Sequence, residues 1–267
     1  MPFASRGRHS IHYELLGNEA APPLLLIMGL ALSGRGWGKL ADVLSRRFRV
    51  VVFDNRGTGR SGKARLGLRM RDLADDAAAV LDAAGIGKAD VFGISMGGMI
   101  AQELALRHPE RVRRLALGAT FASYWRSRKP TLGVVLAGLA ASLGAASNAA
   151  ARISRLLLSE KFYAADPGRA RNLLVEGELA GLRCAFVQMG AIIRHATQRK
   201  LGGIRSPTLV LTGDADRLVP HRNSERLAAS IPVAKLVVFP GAGHAFPFER
   251  EEETADALIR HFQPDSP

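Results

Sequence analysis

The chain has 267 residues, 47% of them apolar, and a net charge of +13, which suits one large globular domain or a domain carrying an insertion. Its one cysteine, Cys184, excludes an internal disulfide and a cysteine-built metal cluster. The basic residues are spread along the chain instead of filling one arm or helix, so the charge reads as a solvated surface and not as a nucleic-acid site.

Two extended segments, 3–8 and 10–16, open the chain as an antiparallel pair. "PPLLLIMG" (22–29) follows, a short apolar run closed by glycine, then a helical pattern at 36–46 and "FRVVVFD" (48–54). A helix over 70–84 precedes "ADVFGIS" (89–95), a helix over 97–107 and "VRRLALG" (112–118). "PTLVLTG" (207–213), a helix over 221–230, "AKLVVFP" (234–240) and a helix over 247–262 complete the alternation. Short Val-, Leu- and Ile-rich runs mean strands buried on both faces, as in a parallel sheet, and alternation with helices predicts an α/β doubly wound domain.

The interval 121–203 breaks the rhythm, with Ala- and Leu-rich helical stretches and no strand signal, and is too long for a simple connection. It reads as a helical insertion over the carboxyl edge of the sheet, dividing a core of 1–120 and 204–267. Its uncharged stretch 131–151 has the length of a membrane span. It is weakly apolar, and a span there would put strands of one sheet on opposite sides of a bilayer. No transmembrane segment is therefore expected. The N-terminus lacks an apolar run of signal-peptide length, so a cytoplasmic location is expected as well.

Between strand 89–95 and helix 97–107 lies Gly93-Ile94-Ser95-Met96-Gly97. Gly-x-Ser-x-Gly at such a joint makes a sharp, strained turn that exposes the serine hydroxyl, and the flanking glycines avoid collisions. The helix N-terminus adds aligned N–H groups useful to an oxyanion. A serine nucleophile needs a base, and the base a carboxylate. Among seven histidines, His244 stands out in "PGAGHAFPFE", a Gly-rich loop between the last strand and the last helix. His108 reads as a helix-end cap, and His195 has no special setting. In "GDADRLVP" both Asp214 and Asp216 are available, Asp216 being preferred on spacing.

"GISMGG", "GDADRLVP", "GAGHAF" and "FDNRGTGRSG" together resemble the α/β-hydrolase superfamily over nearly the whole chain, in the family order of serine, acid, histidine. The resemblance implies an eight-stranded, mostly parallel sheet with helices on both faces and a helical cap at 121–203. It implies a Ser95–His244–Asp216 triad, and oxyanion donors at the backbone N–H groups of Leu30 and Met96. Met28-Gly29 stands where many relatives have His-Gly, a change that leaves backbone donors in place. "DNRGTGRSG" lacks the ending of a phosphate loop and is read as a structural loop in which Asp54 and Arg56 satisfy buried groups.

The expected activity is hydrolysis of a carboxylic ester of a small, mainly apolar substrate, with no metal and no organic cofactor. Alternatives on the same triad are enol-lactone, thioester or carbon–carbon bond hydrolysis and cofactor-free perhydrolysis; a non-catalytic ligand-binding protein on the same fold is a further one. A serine at the elbow argues against epoxide or haloalkane hydrolysis, which needs an aspartate there. Phe121, Tyr124, Trp125, Phe186 and Met189 are candidate pocket residues, each equally suited to packing between helices of the insertion. Oligomeric state is not legible.

Overall fold

The structure, a computed structural model, describes residues 2–130, 146–170 and 177–263, with 146–150 described by their backbone. The strands are β1 (Phe3–Arg6), β2 (His9–Leu16), β3 (Pro23–Ile27), β4 (Arg49–Phe53), β5 (Ala89–Ile94), β6 (Val112–Gly118), β7 (Thr208–Gly213) and β8 (Ala234–Phe239). They form one eight-stranded sheet in the order β1-β2-β4-β3-β5-β6-β7-β8. The pairs β1–β2 and β2–β4 are antiparallel, and all others are parallel.

The unbroken apolar runs have a direct cause. In β3, Leu25 and Ile27 enter one core with Val51 and Val91, while Leu24 and Leu26 enter a second core with Val50, Val52 and Phe92 on the other face. Side chains alternate between faces along a strand, so a strand covered on both sides must be apolar at every position. Helices α1 (Gly38–Ser45), α2 (Met70–Ala83) and α3 (Met96–Arg107) precede the insertion. The first core packs under α2 and α3 through Leu73, Ala77, Leu81, Ile100 and Leu104. Among the described residues, the one buried charge in the central strands is Asp90 of β5, whose carboxylate takes the Arg113 guanidinium of β6 at 2.9 and 2.5 Å. Burial raises the Asp90 pKa against the pull of that arginine.

Between β6 and β7 the chain leaves the sheet for helices α4 (Ala146–Leu157), α5 (Glu160–Ala165) and α6 (Leu182–Ile193). Among the described residues this interval holds no strand, only an isolated antiparallel bridge between Ser123 and Ala196. That bridge staples its entry to its exit. The Thr197 amide donates to Ala122 O at 2.7 Å, and the Thr197 hydroxyl to Gln102 Oε1 at 2.6 Å. The Gln102 amide nitrogen then donates to Phe121 O at 3.2 Å. Most of the uncharged 131–151 stretch lies outside the described residues, and among those described no helix is long and apolar enough to cross a membrane. After the insertion come α7 (Arg222–Ser230), α8 (Phe246–Glu249) and α9 (Glu251–Phe262). The second core packs under α1 and α9 through Leu40, Leu44, Leu258 and Phe262. Acidic residues occupy the first turn of α9 and basic ones its last, in accord with the helix dipole.

His195 sits in the staple, 2% exposed, with Nε2 3.2 Å from the Thr197 hydroxyl. Burial lowers its pKa from 6.5 to about 4. The imidazole is thus neutral in the folded chain at pH values where the unfolded chain is protonated. Protons then favour unfolding, and stability falls as pH drops from about 6.5 toward about 4, by about 1.4 kcal/mol per pH unit once the window is entered. The melting temperature is expected to fall between pH 7.5 and pH 5, and His195→Gln to flatten that fall by about 2 kcal/mol of its stability equivalent. Calorimetry of both proteins at the two pH values checks it; parallel curves would remove His195 from the acid response.

Candidate active site

Ser95 joins β5 to α3 at φ 55°, ψ −119°, a conformation unfavourable for any residue with a Cβ. Its amide donates to Gly118 O at 2.8 Å, and its carbonyl accepts the Thr120 hydroxyl at 2.7 Å. Serine at a helix N-cap ordinarily bonds its hydroxyl to an amide of the first turn. Ser95 makes no such bond, so the helix does not consume its oxygen.

The glycines around it are dictated by contact. A methyl group on Gly93 would strike the carbonyl of Gly97, and one on Gly97 would strike the carbonyl of Ile27 and lie 2.8 Å from Met28 O. A methyl group on Gly98 would lie 2.6 Å from the Thr120 methyl. Gly29 faces the serine itself: a Cβ there would sit 3.3 Å from Ser95 Cβ and 3.9 Å from Oγ.

The loops after β7 and β8 bring an aspartate and a histidine together. Asp216 Oδ2 lies 2.8 Å from His244 Nδ1, and each residue is 5% exposed. Asp216 Oδ1 accepts the amides of Leu218 and Val219, both at 2.8 Å. With Nδ1–H donating to the carboxylate, Nε2 is the imidazole nitrogen left as a base. Asp214 is exposed and instead accepts the Gly241 amide at 2.6 Å, tying the two loops together. Phe246, fully buried two residues after His244, packs against Gly118, whose carbonyl holds the Ser95 amide. The histidine loop therefore folds back over β6 toward the serine. Glu249 Oε1 accepts the Gly243 amide at 3.0 Å and the Ser159 amide at 2.7 Å, and its Oε2 accepts the Ser159 hydroxyl at 2.7 Å. The Ala245 amide donates to Leu157 O at 2.8 Å. Both residues beside His244 are thus tied to Glu249 or to the insertion.

The loop after β3 carries Gly29 and Leu30. Asn55 Nδ2 donates to Met28 O at 3.0 Å, and the Gly34 amide donates to Asp54 Oδ1 at 2.8 Å. Asp54 also lies 3.1 Å from His12 Nδ1, and Arg56 makes a 2.6 Å buried ion pair with Asp76, so "DNRGTGRSG" braces this loop from behind. Among the described residues no acceptor meets the amide of Leu30 or of Met96, the first residue of α3.

The pocket candidates fall in different places. Phe121 is buried in the first core, with Tyr124 packed beside it at a ring separation of 6.4 Å. Trp125 is 74% exposed, and Phe186 and Met189 lie on the exposed face of α6. Burial raises the Cys184 thiol pKa to about 11, which removes it as a rival nucleophile. No cluster of metal-ligating side chains occurs among the described residues. Sequence reasoning passed over Asn55, Gln188 and Glu249. Glu249, five residues after His244, carried a weak positional signal; Asn55 lay within "DNRGTGRSG" with no role of its own assigned, and Gln188 carried none.

A profile of the alpha/beta hydrolase fold matches residues 22–251. A relative from Azorhizobium caulinodans, provisionally named carbamate hydrolase RutD, is 32% identical over 254 residues, covering 92% of each chain. A thermophilic esterase from Thermogutta terrifontis superposes with a TM-score of 0.80 at 26% identity, over 96% of this chain and 94% of that one. The enol-lactonase from Burkholderia xenovorans shares the fold, with a TM-score of 0.84 at 24% identity, over 99% of this chain and 100% of that one.

The strain at Ser95 is measurable. Ser95→Gly is expected to melt higher than Ser95→Ala by the equivalent of about 1 kcal/mol, because only glycine loses the Cβ that opposes φ 55°. Thermal unfolding of the two variants side by side checks this; equal melting temperatures would mean the turn is unstrained.

Proposed function

We propose that this chain, which belongs to the α/β-hydrolase fold family, is a serine hydrolase that cleaves a carboxylic ester of a small, mainly apolar substrate. The observation that carries the reading is the buried 2.8 Å His244–Asp216 bond on the sheet edge where Ser95 holds its uncapped hydroxyl. His244 Nε2 takes the Ser95 proton as Oγ attacks the acyl carbon. The Asp216 carboxylate, fixed by two amides on one oxygen, holds the imidazole tautomer and stabilises the imidazolium. The carbonyl oxygen gathers negative charge between the Leu30 and Met96 amides, whose lack of acceptors leaves them free for it. His244 returns the proton to the leaving alkoxide, the acyl group stays on Ser95, and water activated by the same imidazole releases it as the acid. Residues 121–203 act as a cap that shapes the acyl or alcohol site and excludes bulk water.

The A. caulinodans relative supports a second substrate class, a carbamate, on the same groups. The attack is again on a carbonyl carbon, and the enzyme-bound intermediate is a carbamoyl serine. The esterase neighbour supports the ester.

Ser95→Ala is expected to lose about 10⁴-fold or more in kcat while keeping its fold. Asp216→Asn is expected to lose roughly 10⁴-fold, as a wrong imidazole tautomer does, and Asp214→Asn less than 10-fold. The assay is kcat/KM on p-nitrophenyl esters from acetate to decanoate and on a phenyl carbamate. Near-normal turnover by purified Ser95→Ala would overturn the mechanism, and a larger loss at Asp214 would reassign the acid. A carbamate preferred over every ester would select the second class.

A further inference from the structure

Gln188 lies on α6 inside the insertion, fully buried, 157 residues along the chain from the loop it touches. Its Oε1 accepts the Ala31 amide at 2.8 Å, and its Nε2 donates to Arg56 O at 3.0 Å. Both ends of one side-chain amide are thus spent on backbone of two different core loops. Ala31 follows Leu30 directly and has φ 60°, a left-handed conformation that alanine disfavours. Two further bonds tie the same loop to the insertion: the Ser33 amide donates to Gly177 O at 2.8 Å, and the Ala180 amide to Ala31 O at 2.7 Å. The two peptides that flank the one presenting the Leu30 N–H are therefore held, one by Asn55 through Met28 O and the other by Gln188 through Ala31 N.

We propose that Gln188 is a positioning residue for the oxyanion site: its bond to the twisted Ala31 amide sets the aim of the Leu30 N–H, so that the insertion helps build the catalytic machinery. The inference rests on the serine-hydrolase reading above. Removing a single oxyanion donor costs about 10²–10³-fold in kcat, and a donor displaced but still present costs less. The expected loss in Gln188→Leu is about 10–100-fold in kcat with KM within about twofold. The pH midpoint of kcat/KM is expected to stay put, because His244 and Asp216 are untouched.

The test uses the purified full chain, wild type, Gln188→Leu and Gln102→Leu, with active sites counted by fluorophosphonate titration. Gln102 is an equally buried glutamine whose hydrogen bonds go to Phe121 O and the Thr197 hydroxyl, holding the entry and exit of the insertion. Its variant is expected to melt lower yet keep kcat per active site within about threefold. An arylboronic acid, whose tetrahedral adduct with Ser95 places an oxygen in the oxyanion site, is expected to lose affinity for Gln188→Leu in proportion to the loss in kcat/KM. Should Gln188→Leu not fold, Gln188→Met, which keeps the length of the side chain and removes the acceptor for Ala31, is expected to show the same signature at about 10-fold. Unchanged kcat and boronate affinity per site, or a raised KM with kcat intact, would overturn the role of Gln188 and leave the serine-hydrolase reading standing. A wild type that hydrolyses no ester or carbamate, or a Ser95→Ala that still does, would overturn that reading and this inference with it.

Discussion

Backbone from the ends of β3 and β5 and the start of α3 meets beneath Ser95 with no room for a single methyl group. Gly97 lies against the carbonyls of Ile27 and Met28, Gly93 against Gly97, and Gly29 against Ser95 itself. This approach has consequences in each direction. It forces the serine into φ 55°, which turns its hydroxyl away from the capping bond the helix would otherwise make. It brings the loop after β3 alongside Ser95, the placement that the proposed mechanism needs for the Leu30 and Met96 amides. It also requires β3 and β5 to be neighbours in the sheet, as the strand order makes them. A Cβ at Gly97 would disturb the turn, the loop and the sheet edge together.

What the sequence made legible and what it hid divide along physical lines. The inner strands were readable because burial on both faces leaves a run of Val, Leu and Ile; β8, read in the same way, lies at the edge of the sheet with Leu236 and Val238 exposed. The turn at Ser95 was readable because the strand, the Gly-x-Ser-x-Gly pattern and the helix are contiguous; the collision at Gly93 is local, with Gly97, whereas the one at Gly97 comes from Ile27 and Met28 of the distant β3 end. Asp216 and Asp214 were distinguishable only by spacing, and the structure shows why both are acidic. One faces His244, and the other ties the neighbouring turn at Gly241. Gln188 was invisible because its partners, Ala31 and Arg56, are main-chain groups more than a hundred residues away. A glutamine in a helical pattern looks like a solvated one. His195 was passed over for the same reason, since only the stapling of 121–124 to 195–197 buries it.

Among the described residues, two of the hydrogen-bonded contacts between the insertion and the core lie at the loops that carry Leu30 and His244. At the first, Gly177, Ala180 and Gln188 hold the loop that carries Leu30. At the second, Leu157 and Ser159 reach the residues flanking His244, directly and through Glu249. Most of the bonds at both contacts have a main-chain group at one end or both, the Arg35–Glu178 and Ser159–Glu249 side-chain pairs being exceptions. Backbone fixed in this way resists displacement when side chains facing the substrate change.

Glu249 shows what that arrangement means for heredity and for engineering. Its carboxylate is a shared anchor between the sheet domain and the inserted helices, and its counterpart, Ser159, lies on the insertion. The inserted helices are therefore not an interchangeable module. A segment transplanted from another hydrolase to change its selectivity would arrive without a partner for Glu249 or for the Ala31 amide. The Ala31 amide would be left unmet in a buried place, and the half-buried Glu249 would keep only the Gly243 amide. Recombination along this seam succeeds only where the donor brings both a hydroxyl for Glu249 and an acceptor for Ala31, so selectivity in such a protein evolves by point changes more readily than by exchange of parts.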